Sequence, residues 1–173
     1  MKKTTLSGLL IFILALFTIA GCGENNDEET QPTQPTTATL KIMSQGTSTQ
    51  IGGIDVSVVL PAGVTVKATP DSTNPAVQVT NSGVVAASGE SAGANTNTIA
   101  TYSAATTSAP GTVMVQVANA NGFGTGEFVT INCDIAAGNN PKATDFTVTL
   151  VKAVDINGAS IAGLTTGYTA DIQ

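Results

Sequence analysis

Hydrophobic positions follow three regimes along this chain. Leu9 to Ala20 (LLIFILALFTIA) is a nearly continuous apolar run preceded by Lys2 and Lys3. Residues 23–37 (GENNDEETQPTQPTT) have no apolar period at all; they are acidic, then rich in Pro, Thr and Gln. Such a segment buries too little surface to offset its ordering entropy, so it is expected to be a disordered tether. As a coil its fifteen residues would span roughly 20 Å. From Ala38 onward, apolar and polar residues alternate, which is the period of half-buried strands.

The alternation can be followed strand by strand. Leu40 and Ile42 share one face. Ile54, Val56, Val58 and Leu60 share another, with Asp55 and Ser57 opposite; Pro61-Ala62-Gly63 breaks the run before Val64 and Val66 resume it. Turn residues fill 69–75. Val77 and Val79 mark one strand, and Gly83 to Ala87 a short one. Residues 88–98 (SGESAGANTNT) predict a mobile polar loop, and Ile99 to Ala104 a strand carrying Tyr102. Val113, Val115 and Val117 then point inward together. Val129, Ile131, Cys133 and Ile135 form the next stripe, with Phe128, Thr130, Asn132 and Asp134 on the opposite face. Phe146, Val148, Leu150 and Val154 form the last stripe, with Lys152 in its register. Asn157-Gly158 predicts a two-residue primed hairpin turn, with Ser160 to Leu164 as the return strand. About nine short strands with no convincing amphipathic helix after the leader predict an all-β fold, a single β-sandwich.

The apolar run is about a dozen residues long, short of the roughly 20 that cross a bilayer core. A basic start, a short apolar run and the small residues Ala20 and Gly21 predict a secretory signal peptide over 1–21. The run Ile19-Ala20-Gly21-Cys22 resembles the lipobox of bacterial lipoproteins. The resemblance implies cleavage between Gly21 and Cys22 and lipidation of the Cys22 thiol. Two or three acyl chains hold firmly where one holds marginally. The residue after the cysteine is Gly23 and not Asp, which favours an outer-membrane over an inner-membrane destination. The expected layout is therefore a signal peptide (1–21), a lipidated Cys with its tether (22–37) and a domain over 38–173.

Composition narrows the function. Without the leader the chain keeps four lysines against twelve acidic residues, a formal charge of −8, and it has neither Arg nor His. A nucleic-acid partner needs a basic footprint, so that class is excluded. Absence of His removes the commonest general base and metal ligand. With Cys22 lipidated, Cys133 has no partner for a disulfide.

Three stretches together resemble the cohesin-like branch of the carbohydrate-binding-module-like β-sandwiches: GIDVSVVLPAGV (53–64), GFGTGEFVTINCDIAAG (122–138) and DFTVTLVKAVDINGASIAGLT (145–165). The resemblance implies a nine-stranded jelly roll that binds a protein partner, of dockerin type in cellulosomes, through one sheet face. Related modules dock polysaccharide on aromatic strips. Here there is no Trp, which disfavours that role, and Tyr102, Phe128 and Tyr168 are the expected surface aromatics. Tyr102 and Phe128 are thus the candidate ligand contacts.

Other chemistry is sparse. Asp155-Ile156-Asn157-Gly158 resembles part of a calcium loop, but the further acids and terminal Glu of that motif do not follow; a tight turn is the simpler reading. Glu127, Glu90 and Asp71 read as solvated carboxylates, and Cys133 as a buried small hydrophobe. No Ser–Lys spacing of the S-x-x-K type occurs after the leader. The expected role is non-catalytic, without a cofactor: a membrane-anchored interaction module, with an envelope-assembly subunit or a polysaccharide-binding module as the alternatives.

Overall fold

The computed structural model describes residues 33–46, 50–68, 76–79 and 83–173; the leader, Gly21, Cys22 and the tether up to residue 32 lie outside them. Within the described residues the chain forms ten strands: β1 (Thr37–Gln45), β2 (Ile51–Val59), β3 (Val64–Val66), β4 (Ala76–Gln78), β5 (Val85–Ala87), β6 (Thr96–Ser103), β7 (Thr112–Phe123), β8 (Gly126–Ile135), β9 (Thr147–Asp155) and β10 (Thr165–Ile172). One sheet runs β10-β1-β8-β3, with β5 also on β8; the other runs β4-β6-β7-β2-β9. The named pairings are antiparallel. The chain is an all-β sandwich. The step from β1 to β2 between sheets is retraced by the step from β7 to β8, so β1 bonds β8 and β2 bonds β7. That paired wrap is the jelly-roll device.

The inner faces close one core. Leu40 and Ile42 of β1, Ile54, Val56 and Val58 of β2, Val113, Val115 and Val117 of β7 and Ile131 of β8 are essentially fully buried. Each such side chain contributes roughly 1.5–3 kcal/mol by leaving water. The sequence alternation predicts this set because strand side chains alternate between faces.

Four expectations need correction. First, Phe128 is not on the outer face. Ile42 pairs with Val129 and Met43 with Glu127, so Phe128 is the extra residue of a β-bulge. A bulge breaks the two-residue period, and both Phe128 and Val129 are buried. Second, Val56 pairs with Leu150 and Asp55 with Lys152, so Val151 is a second bulge. Beyond it the inward position falls on Ala153, and Lys152 is exposed.

Third, the Asp155 turn is not a two-residue primed hairpin. Gly158 N donates to Asp155 O at 3.0 Å and Asp155 N to Ala159 O at 2.9 Å. Only Gly158 has positive φ (+82°), which fits a three-residue loop with glycine in the left-handed position. The return is a single bridge, Val154 to Ser160; the chain then crosses to the other sheet as β10, a strand missing from the expected set although Tyr168, Ala170 and Ile172 alternate along it. Fourth, 88–98 is a built segment. It holds a 3-10 turn, Gly89–Ser91, and the start of β6. Ser91 is buried and its hydroxyl donates to the Phe128 carbonyl.

The two ends of the sandwich meet at one pole. Thr36 N and Thr37 N donate to Gln173 O at 2.6 and 3.0 Å. β1 therefore starts, and β10 ends, at this pole.

Candidate functional site

The outer face of the β6-β7-β2-β9 strands holds the best candidate site. Strand register sets its rows. Thr101, Met114, Ser57 and Thr149 lie side by side; Ile99, Gln116, Asp55 and Lys152 form the next row; Asn97, Ala118, Gly53 and Val154 the third. Ile99 (39%) and Met114 (37%) are large apolar side chains left in water, and Val151 (55%) joins them because its bulge turns both Val151 and Lys152 outward.

The third row explains the shape. Ala118 faces Gly53 across the β7–β2 pair, so the middle of this row carries almost no side chain. Taller neighbours, Asn97 and Ile99 on one side and Lys152 and Val154 on the other, leave a depression of about 210 Å³. Its wall offers an amide (Gln116), a carboxylate (Asp55) and an ammonium (Lys152). Large apolar side chains beside a few directional polar groups are the make-up of a recognition surface.

The opposite outer face differs in kind. Lys41 Nζ lies 3.5 Å from Glu127 Oε2, Thr130 Oγ1 lies 3.0 Å from Ser88 Oγ and donates to it, and Thr39 Oγ1 donates to Asn132 Oδ1 at 3.1 Å. The Ser88 hydroxyl above all, and then Lys41 and Thr130, hold the Glu127 carboxyl below the usual carboxylate range, against the smaller opposing effect of burial. This face spends its polar groups on one another.

The two aromatic residues expected to contact ligand are core residues. Phe128 is fully buried and Tyr102 is 2% exposed. Tyr102 lies inward with Ala100 on β6, facing Val113 of β7, and burial above all raises its phenol pKa. Tyr168 is half-buried, its hydroxyl donating to the Phe146 carbonyl at 2.6 Å. Phe123 and Phe128 pack with ring centroids 6.3 Å apart.

Asp155 and Asn157 stay together in the β9 turn, where Asp155 Oδ1 accepts from Asn157 N (2.8 Å) and Ala159 N (2.9 Å). That oxygen shapes the turn. Among the described residues no three acidic or thiol side chains converge. Cys133 is buried, and its thiol pKa is pushed up to about 12. Cys22 and Gly21 lie outside the described residues; among the described residues no helix is long and apolar enough to cross a membrane.

Ile99 and Met114 are the site residues that sequence reasoning passed over. Both were within reach: Met114 sits between inward Val113 and Val115, and Ile99 is out of phase with Tyr102 once Tyr102 is placed inside. Comparison with known protein families, with curated proteins and with solved structures finds nothing that matches this chain.

Proposed function

We propose that this protein is a non-catalytic binding module of the bacterial cell envelope, lipid-anchored through Cys22, with the outer membrane favoured, and engaging protein through the outer face of β6-β7-β2-β9. The cohesin-like resemblance of 53–64, 122–138 and 145–165 supports a protein partner, dockerin-type chemistry included. The observation that carries the reading is the exposure of Ile99, Met114 and Val151 around Asp55, Gln116 and Lys152 on one sheet. An isolated apolar residue on a surface means little; three large ones interspersed with polar side chains on one sheet face are the basis of the reading. The polysaccharide alternative loses its platform, because Tyr102 and Phe128 are in the core.

Two measurements test the reading. The full chain, expressed with its own leader in a bacterial host, should incorporate an alkyne-palmitate label that vanishes in Cys22→Ser; a label that survives the substitution removes the anchor. A photo-crosslinking residue at Gln116 should capture protein in intact cells, while one at Thr39 on the opposite face should not. Equal capture at both positions, or none at Gln116, removes the face.

A further inference from the structure

We propose that the free edge of β10 is a strand-addition site for an extended segment of another polypeptide, apolar at alternate positions and basic opposite Asp171. The site is separate from the face described above and does not depend on the lipid anchor.

The edges of the two sheets are not equally protected. One sheet ends in β10 and, beyond β8, in β3 and β5; the other ends in β4 and β9. β3, β4 and β5 are three residues long each, and β9 carries the Val151 bulge and Lys152. Short length, bulges and lysines are the devices that keep an edge from pairing with another chain. β10 has none of them. It is eight residues long (TTGYTADI), holds neither Pro nor Lys, and pairs β1 without a register shift.

That pairing fixes which backbone groups are left over. Thr37 N donates to Gln173 O at 3.0 Å and Gln173 N to Thr37 O at 2.9 Å. Residues that exchange both bonds recur at every second position of an antiparallel pair. Asp171, Thr169, Gly167 and Thr165 therefore bond β1, opposite Thr39, Lys41, Met43 and Gln45. Ile172, Ala170, Tyr168 and Thr166 point their N–H and C=O groups away from β1, and among the described residues no other backbone pairs with them. These groups repeat about every 7 Å along the strand. The complement of such a row is another extended backbone, which repeats its own donors and acceptors at the same interval.

The side chains state the rest of the ligand's chemistry. Tyr168, Ala170 and Ile172 pack against the core and are only partly buried, as are Val148 and Leu150 of β9 and Ile161. Apolar side chains at every second position of an added strand would extend that inner surface. On the outer side Thr165, Thr169 and Asp171 are exposed. Asp171 accepts from the Gln173 side-chain amide at 2.7 Å and has the uncharged Thr39 across the β1 pair. A Lys or Arg opposite it on the added strand supplies a charge partner, since cross-strand neighbours of opposite sign attract. A second β10 matches less well, because it joins two copies of an acidic chain, −6 overall. Residues 23–36 of this chain also match less well, being acidic and without apolar alternation.

The probe is a blocked peptide, Val-Lys-Val-Thr-Val-Thr-Val-Thr. Antiparallel to β10, it places its Lys opposite Asp171 and its valines opposite Ile172, Ala170, Tyr168 and Thr166. Hydrogen exchange of the full chain in detergent reads the site. Millimolar peptide should slow the amides of Thr166, Tyr168, Ala170 and Ile172 at least tenfold and leave those of Gly167, Thr169 and Asp171, already bonded to β1, unchanged. A peptide N-methylated at its valines keeps every side chain but loses the facing donors, and it should slow none of them. Glu in place of the peptide Lys should weaken the effect at low salt. Ala170→Pro removes an outward N–H and no bond to β1, a place where an edge strand tolerates proline. Its thermal melt should stay near wild type, unlike that of Thr169→Pro, while its response to the peptide falls at least tenfold. No protection from the unmodified peptide overturns the inference, as does equal protection from the N-methylated or the Glu peptide. Equal melts for Ala170→Pro and Thr169→Pro overturn it too, because the free groups would then be misplaced. Slowing of the same amides by concentrating the chain alone gives the edge to a second copy and also overturns it. Ala170→Pro should leave capture at Gln116 unchanged, so the binding-face reading stands or falls by itself.

Discussion

Replacing Cys133 by Ala should remove a specific part of the protein's alkaline lability. Cys133 lies on β8 between Ala38 of β1 and Val66 of β3, 3% exposed. Burial above all, helped by the negative charge of Asp134, raises its pKa from 9.0 to about 12. An unfolded chain releases this proton near the lower value, whereas the folded chain keeps it. The stability this group contributes is therefore complete below pH 9 and drains away as pH climbs from 9 toward 12. One pH unit is about 1.4 kcal/mol. At a pH about 1.5 units above the unfolded value the folded state should have lost about 2 kcal/mol through Cys133 alone. Urea unfolding of wild type and Cys133→Ala, at neutral pH and near pH 10.5, measures it. Wild type should lose about 2 kcal/mol more than the variant between the two conditions, because every other group is common to both. Tyr102→Phe serves as a control, since the Tyr102 phenol is also raised, by burial and by Cys133. Equal losses in wild type and Cys133→Ala would refute the reasoning. So would rapid modification of Cys133 by a thiol reagent under native conditions.

Three further outcomes follow from the geometry. Phe128→Ala should cost about 3–5 kcal/mol in denaturant unfolding, since Phe128 is fully buried; a cost below about 0.5 kcal/mol would return it to the surface. The Glu127 carboxyl titrates below its ordinary value, so its contribution is present above pH 4.5 and is lost as pH falls through the folded pKa. Glu127→Gln should flatten the stability profile between pH 5 and 3, by less than about 1 kcal/mol because Lys41 is exposed, and an unchanged profile would refute the assignment. Gly89→Ala should cost about 2 kcal/mol or more in thermal unfolding, because its φ is +53° and a Cβ would run into the Glu127 carbonyl. Gly138→Ala, with positive φ but open space around it, should cost about 1 kcal/mol; equal costs would mean that the Glu127 contact does not matter.

The fold class and most of the core were legible because strand burial follows a period of two. The stripes Ile54-Val56-Val58-Leu60 and Val113-Val115-Val117 lie inside as read. β10 escaped although Tyr168, Ala170 and Ile172 alternate with Thr169 and Asp171; those three side chains are only partly buried against the core, and its backbone bonds β1. Much of what else escaped was set by pairing, which sequence order does not encode. The Asp155 loop was legible as a turn, but its type depends on whether Asn157 also takes positive φ, and it does not. The candidate face was half legible. Asp55, Ser57 and Lys152 are polar residues in strands, whereas the depression needs Ala118 and Gly53 to meet across two strands.

The two bulges show how one residue can redirect both a reading and a surface. At Phe128 the extra residue turns an aromatic ring into the core, where it packs on Phe123 and takes the place a ligand platform would have used. At Val151 the effect is the reverse: two consecutive side chains, Val151 and Lys152, project from an edge strand. Edge strands invite pairing with other chains, and a bulge carrying a lysine discourages it. The bulge thus makes β9 a poor template for strand addition while raising an apolar and a charged group above the depression. Association at this sheet should consequently run through side chains on the face and not through the β9 backbone. A strand-matching peptide complementary to β9 should then leave photo-crosslinked capture at Gln116 intact; loss of capture would place the contact on the β9 backbone.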